Sequence, residues 1–467
     1  MSKFDKYFFW FCFFYLILKF ISIKITNLNL YGDEAQYWLW SKTFSFGYFS
    51  KPPLLSWLIG GITNFFGNSF FTLKSIPILI YCLTSYFVYL LVIKLYNKKD
   101  LAITCAITFF LLPAVSFSSF LLSTDVILIF FWVLGLIQLV KIKEKQGYFN
   151  FFILGLILGC SLLSKYAGIY FLLGVFCLII FENNFKLIFL KNKFKFFFTI
   201  IIMMIVISPN LYWNYQNEWL TFGHTADNAS LEKISLNFTG FIEFFFAQII
   251  MIGPLLFFCF CFYFFKNFNL NSNEKLFLCF AAPPLIIVGI ESLIVRAHAN
   301  WAAVSLVSFS ILCVCMIYKF NKKLIYINNI INIIVGVILF IMISVDYDSR
   351  LFDRISGFKK FVEFVDTKNS TKINNIVVSD RLLFASLSYE YYSKNINLYS
   401  TRAPEEKISH HFQINNFLPK DFNKSFLLIG NPVNINYLEN NYNVELVGSK
   451  SFPFSKKKIK LYEVILN

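Results

Sequence analysis

Histidine is scarce, cysteine never leaves apolar surroundings, and the common nucleotide and protease signatures are missing. Each absence removes a class of protein. The four histidines, two of them the adjacent pair His410–His411, form no spacing that a metal site demands. All ten cysteines lie at or before Cys315, inside strongly apolar runs. There a thiol acts as a small apolar side chain, so neither a disulfide framework nor a zinc knuckle is predicted. GxGxxG, P-loop, HExxH and GxSxG segments do not occur, and no internal repeat is evident. Charged residues make up only 15% of the chain, against 57% hydrophobic and 20% aromatic, with a mean hydropathy of +0.63. A large soluble core is excluded for most of the length.

What remains is a chain of 467 residues in which apolar runs recur. Many reach the roughly 18 residues needed to cross a hydrocarbon core of about 30 Å. Eleven spans are predicted, near 7–25, 72–95, 101–116, 123–140, 149–164, 167–183, 196–212, 241–265, 276–295, 300–318 and 324–345. The first run is long and lacks a small-residue cleavage site, so no cleavable signal peptide is expected. With the N-terminus cytoplasmic, the inner segments carry seventeen lysines and the outer ones seven Lys or Arg residues. That asymmetry satisfies the positive-inside rule and accounts for much of the +16 net charge without nucleic acid. After about Asp346 the apolar runs shorten to strand length, in NIVVS, FLLIG, VELVG and KLYEVIL. They alternate with helical stretches near 356–368 and 381–393, which predicts a small α/β domain over 346–467, outside the membrane.

The polar features converge on the outer face. The stretch Tyr31–Pro53 holds the acidic pair Asp33 and Glu34, the aromatics Tyr37, Trp38 and Trp40, and Lys51 before Pro52 and Pro53. Trp and Tyr favour the membrane–water interface, where an ionised carboxylate can act as a general base towards a hydroxyl or amine. Two solvated acids ahead of an interfacial helix is the plainer reading. Adjacent carboxylates diverge in most backbone conformations, so one is expected to be catalytic and one structural. Asp125, at the outer mouth of the fourth span, is either a functional acid or a first-turn residue behind a Ser123–Thr124 cap. Lys51 and Lys165 suit a lipid phosphate, and snorkelling to headgroups is the alternative for Lys165. The segments SPNLYWNYQNEW, with Asn210, Trp213 and Asn214, and RAHANW, with Arg296, Asn300 and Trp301, offer the amides and aromatic faces that contact sugars.

In order along the chain, the acidic pair of the first outer loop, the aromatic run, YFSKPP, STD, LLSKY, SPNLYWN and a late NW resemble a known family. It is that of the polyprenyl-phosphate-sugar-dependent glycosyltransferases of GT-C fold, which includes protein O-mannosyltransferases and lipid A aminoarabinose transferases. The resemblance covers residues 1–345, expected to be the transmembrane catalytic domain with a first outer loop over 26–71. It implies a multi-pass enzyme of the bacterial inner membrane, with the C-terminal domain periplasmic. A sugar would pass, by an inverting displacement, from an undecaprenyl-phosphate donor to a lipid A, glycan or protein acceptor. Asp33 would be the catalytic acidic residue of the first loop, Glu34 its neighbour, Lys51 the lysine beside the lipid phosphate and Asp125 the second acid. Ser50 stands where the aminoarabinose transferases carry a metal-associated Glu, so no cofactor is firmly predicted, a divalent metal being the alternative the resemblance leaves open. The competing class is a transporter or flippase of a lipid-linked sugar. Transporters gather polar residues at the midplane of repeated halves, a pattern this sequence does not show.

Overall fold

The computed structural model describes residues 3–229, 235–266, 269–347, 352–369, 371–402, 408–452 and 455–467. Two compact units emerge. The first comprises Met1–Ile23, Lys51–Leu55 and Leu73–Ile341, the second Lys24–Ser50, Ser56–Thr72 and Met342–Asn467.

The first unit is helical. Among the described residues, five helices are long and apolar enough to cross a membrane: Phe70–Tyr96, Thr124–Glu144, Lys193–Gln216, Ser272–Ile294 and Lys322–Ser344. Thr124–Glu144 is the most enclosed, with 72% of its apolar window buried, against 28% for Lys193–Gln216. The former therefore runs through the protein interior. The latter turns Phe194, Phe197 and Ile205 outward, as a lipid-facing helix does in a medium as apolar as its side chains. Tyr148–Ser164 meets Lys193–Gln216 through Gly155 and Gly159. A Cβ at either glycine would come within 2.7 Å of Ile202 or 2.5 Å of Val206. Small residues four apart let two helices approach this closely.

Among the described residues, length and composition alone give five such helices, or up to seven when each bent pair is counted as one, so the expected count of eleven is not confirmed. The expected spans near 101–116, 149–164 and 300–318 contain the shorter helices Lys99–Leu111, Tyr148–Ser164 and Ser305–Phe320. The stretch expected as a single span over 241–265 is two helices, Phe238–Ile252 and Pro254–Lys266, meeting at 98°. Gly253, at φ +96, makes the break, and Pro254 opens the next helix. Near 167–183, a 3₁₀ turn and the helix Tyr170–Phe181 are followed by Asn183–Lys191 at 110°.

The second unit is built on a five-stranded sheet. Its strands are β1 (Asn375–Val378), β2 (Asn397–Ser400), β3 (Phe426–Ile429), β4 (Tyr442–Phe452) and β5 (Ser455–Leu466), in the order β2-β1-β3-β5-β4. The first three pair parallel, and β5 joins β3 and β4 antiparallel. Helices Phe358–Lys368 and Arg381–Glu390 fall where the sequence predicts them, whereas β2 was not foreseen. Val377, Phe426, Leu428 and Val464 form the sheet's buried core with Leu418, Ile435, Leu438 and Tyr442.

Residues of the first loop complete this unit. They form the helices Gly32–Trp40 and Leu54–Phe66, the latter unforeseen, though its first two residues group with the first unit. Gly32–Trp40 lies against Arg381–Glu390, where a Cβ on Gly32 would come within 2.9 Å of Leu382. Asp346 accepts from Thr26 Oγ1 (2.7 Å), Asn27 N (2.8 Å) and Asn27 Nδ2 (2.9 Å). Burial alone would raise its carboxyl, but these donors and the Leu28 N–H outweigh it and hold the pKa below the usual value.

Candidate active site

Asp33 and Glu34 open the helix Gly32–Trp40, where the positive end of the helix dipole favours carboxylates. Their environments differ. Glu34 is 1% exposed, and one of its oxygens accepts from the Tyr31 N–H at 2.8 Å, closing the helix start. Asp33 keeps a third of its side chain exposed and faces Arg381 Nη2 at 3.9 Å, a contact too long for a hydrogen bond. Arg381 also donates to Gln36 Oε1 at 3.3 Å, and Arg354 donates to the Tyr31 hydroxyl at 3.2 Å. Burial, and then the negative charge of Asp33, raises the Tyr31 phenol above its ordinary range. Asp33 is thus a reachable carboxylate near the Arg381 guanidinium, with the Tyr31 phenol close enough to feel its charge. Sequence reasoning missed Tyr31, Arg354 and Arg381, and the two arginines lie more than 300 residues away along the chain.

The aromatics of the same helix face inward. Trp38 is fully buried, donates to Asn68 Oδ1 at 2.9 Å and packs edge-on to Tyr389 and Tyr392. Tyr37 is also buried, its ring centroid 5.6 Å from that of Trp40. Both were expected at a substrate; in the structure both pack inward and help hold the helix. Trp40 stacks on Tyr48 at 4.8 Å, and His411 meets the two rings edge-on.

In the first unit, Asp125 sits in the first turn of Thr124–Glu144 and is nearly buried. Lys165, between Tyr148–Ser164 and the following 3₁₀ turn, donates to Asp125 Oδ1 at 2.6 Å. Asn300 Nδ2 reaches Oδ2 at 3.0 Å. Both carboxylate oxygens are therefore held, one by a cation and one by an amide. Lys165 was expected to meet a lipid phosphate; here its ammonium group is engaged by Asp125.

Tyr166, next to Lys165, was not singled out in the sequence. Its hydroxyl donates to Asn210 Oδ1 (2.9 Å), its ring stacks on Phe222 (4.7 Å), and Asn214 Nδ2 lies 3.3 Å from the hydroxyl. Asn214 Oδ1 accepts from Thr221 N at 3.3 Å. Asn210 and Asn214 are fully buried, so they fix the C-terminal end of Lys193–Gln216 instead of presenting amides to solvent. Trp213 is half-buried on the same helix. Trp301 packs on the cluster of Phe244, Val288 and Ala302, edge-on to His298, while Arg296 is exposed.

Lys51 is half-buried before Pro52 and Pro53. Ser50 before it is buried and offers a hydroxyl rather than a carboxylate. Among the described residues no group of three or more His, Cys, Asp or Glu could hold a metal ion.

The description of a dolichyl-phosphate-mannose-protein mannosyltransferase family, PMT_2, matches residues 50–213. A lipid A galacturonosyltransferase, RgtD of Rhizobium johnstonii, is 28% identical over 318 residues, which is 66% of this chain and 66% of the relative. The fold matches crystal structures of ArnT from Cupriavidus metallidurans at 10% identity. The TM-score is 0.69 for the form bound to undecaprenyl phosphate, over 98% of both chains. For the apo form it is 0.62, over 99% of this chain and 98% of that one. The resemblance read from the sequence motifs and these likenesses agree: over residues 50–213 the chain is similar to a dolichyl-phosphate-mannose-type mannosyltransferase family, it resembles a lipid A galacturonosyltransferase over two thirds of its length, and its fold is that of ArnT.

Proposed function

We propose that this enzyme transfers a sugar from undecaprenyl phosphate to lipid A at the outer face of the bacterial inner membrane, with Asp33 as the base. The observation that carries the assignment is the contrast within the acidic pair: Glu34 is buried and spent on the helix start, and Asp33 is left reachable. The Asp33 carboxylate accepts the proton of the acceptor hydroxyl or phosphate as its oxygen bonds to the anomeric carbon. The bond from that carbon to the phosphate oxygen breaks on the opposite face, the anomeric centre inverts, and undecaprenyl phosphate leaves. Lys51 stabilises the phosphate as charge collects on it. Asp125, held by Lys165 and Asn300, supplies fixed negative charge against the oxocarbenium character of the sugar ring. Residues 1–345 would carry the transfer and 346–467 would lie in the periplasm, with the N-terminus cytoplasmic.

The name of the Rhizobium relative makes a hexuronic acid the first sugar to look for. Lipid A from cells expressing the wild type or Asp33→Asn is compared by mass spectrometry. A sugar-sized gain that appears with the wild type and disappears with the variant supports the reading. An identical gain in both overturns the role of Asp33, and a gain confined to glycoproteins or surface glycans moves the acceptor.

A further inference from the structure

Within the second unit lies a cavity of about 590 Å³ that none of these steps uses. Its lining includes Lys42, Trp57, Gly61, Asn64, Asn68 and Tyr392. That volume is within the range of small-molecule sites, roughly 300–1,000 Å³. Lys42 brings the only formal charge to the lining residues. Its ammonium group contacts Asn68 Oδ1 and Thr63 Oγ1 and lies over the rings of Trp38 (4.9 Å) and Tyr392 (5.4 Å). All four partners are neutral, and among the described residues no carboxylate pairs with it. Burial pushes its pKa down, the direction expected of a cation without a counter-charge.

The remaining walls suit a sugar. Trp57 is anchored by its indole N–H, which donates to the Ser45 carbonyl at 2.8 Å, and Asn64 is an exposed amide. The surroundings suit a lipid. Phe44 stacks on Trp57 at 5.2 Å with 73% of its surface exposed, and Phe65 and Phe66, ending the helix that carries Trp57, are 86% and 74% exposed. Large apolar rings left this open belong at a membrane interface.

We infer that this cavity binds the phosphate-bearing sugar headgroup of a membrane lipid, with the phosphate on Lys42, a hydroxyl on Asn64 and the sugar ring against Trp57. It would be the acceptor's seat, and that role, though not the binding itself, rests on the transfer reaction proposed above. Gly61 offers a direct way to block it, because a Cβ there meets nothing within 4 Å. Gly61→Leu therefore adds bulk at the cavity wall without a clash.

The test is calorimetric titration of the full-length protein in phosphatidylcholine nanodiscs with glucose 1-phosphate, glucose and inorganic phosphate. Glucose 1-phosphate should bind at least about tenfold more tightly than glucose, the size of one charge-assisted contact. It should also bind more tightly than inorganic phosphate. Lys42→Met should lose that advantage, Lys42→Arg should restore most of it, and Gly61→Leu should abolish binding while unfolding at the wild-type temperature. Asp33→Asn, outside the cavity, should bind as the wild type does. Equal affinity for phosphate and glucose 1-phosphate would reduce the site to an anion site and overturn the sugar assignment. Absence of binding, or binding unmoved by Lys42→Met and Gly61→Leu, overturns the inference altogether. A parallel assay with undecaprenyl-phosphate-linked sugar and lipid A separates the two claims. Transfer without headgroup binding sinks only the cavity, and binding without transfer sinks only the reaction.

Discussion

Asp33 and Asp125 were picked out for the same chemistry, yet their surroundings are opposite. Asp125 has both oxygens occupied, by Lys165 at 2.6 Å and Asn300 at 3.0 Å, and only 12% of its side chain exposed. Asp33 has one guanidinium at 3.9 Å and a third of its side chain open. A carboxylate held at both oxygens is a charge with a set direction, whereas one loosely paired is not fixed in this way. The two acids singled out in the sequence thus differ in how firmly their partners hold them.

The sharpest break in this comparison is Asp33→Asn. It should lower kcat for sugar transfer by about 10²–10⁴-fold, the span of general base catalysis, with the melting temperature unchanged. A comparable loss of kcat with a lowered melting temperature would make Asp33 structural. Next comes the Asp125–Lys165 pair. Lys165→Met strands a nearly buried carboxylate and should destabilise by about 1–3 kcal/mol, less than the 3–5 of a fully enclosed pair. The double variant Asp125→Asn/Lys165→Met should recover part of that in thermal unfolding, and strict additivity would deny the coupling.

A third test concerns pH. Burial pushes both His410 and His411 down to about 4, with the Arg381 charge and His411 adding to the effect at His410. Their unfolded value is near 6.5, so the unfolded chain takes up these protons first as pH falls. The stability they contribute is complete above pH 6.5 and is lost progressively towards pH 4. Near-UV circular dichroism from Trp40, which packs against His411, should report melting of the second unit at lower temperature across that window. Replacing both histidines with glutamine should flatten the dependence. The smallest effect is expected from Arg381→Gln, below about 1 kcal/mol for a half-open pair, with kcat falling by less than about tenfold. A larger fall would tie Asp33 more closely to its arginine than the 3.9 Å contact suggests.

Much of this was legible in the chain. Strands β1, β3, β4 and β5 announce themselves as short β-branched runs between helical stretches. In β2 the sequence NLYS opens on Asn397 after Lys394 and Asn395, so its pairing comes from β1 alongside rather than from its own pattern. Hydropathy averaged across 241–265 hides the Gly253–Pro254 break, although the dipeptide itself marks it. The acidic pair and LLSKY could be read directly as candidates. The partner of Asp33 could not, because Arg381 carries no motif and reaches it only through the folded second unit. Nor does a sequence show that Trp38 spends its indole on Asn68.

The second unit is assembled from the two ends of the chain. Asn29 accepts from the Phe358 N–H at 3.1 Å and donates its own N–H to the Ile355 carbonyl at 2.7 Å, and Trp38 packs against Tyr389. A ribosome makes one side of these contacts more than 300 residues before the other. Through all the intervening synthesis the first-loop helix, with Trp38 and Trp40, must wait without its partners. The acidic residue it carries is thus installed only when the last span is threaded and the C-terminal segment has arrived. Contacts this distant in sequence form late and leave apolar surface open meanwhile. A half-made chain would therefore hold Asp33 without its Arg381 neighbour, and quality control of the nascent chain would have the exposed tryptophans to read.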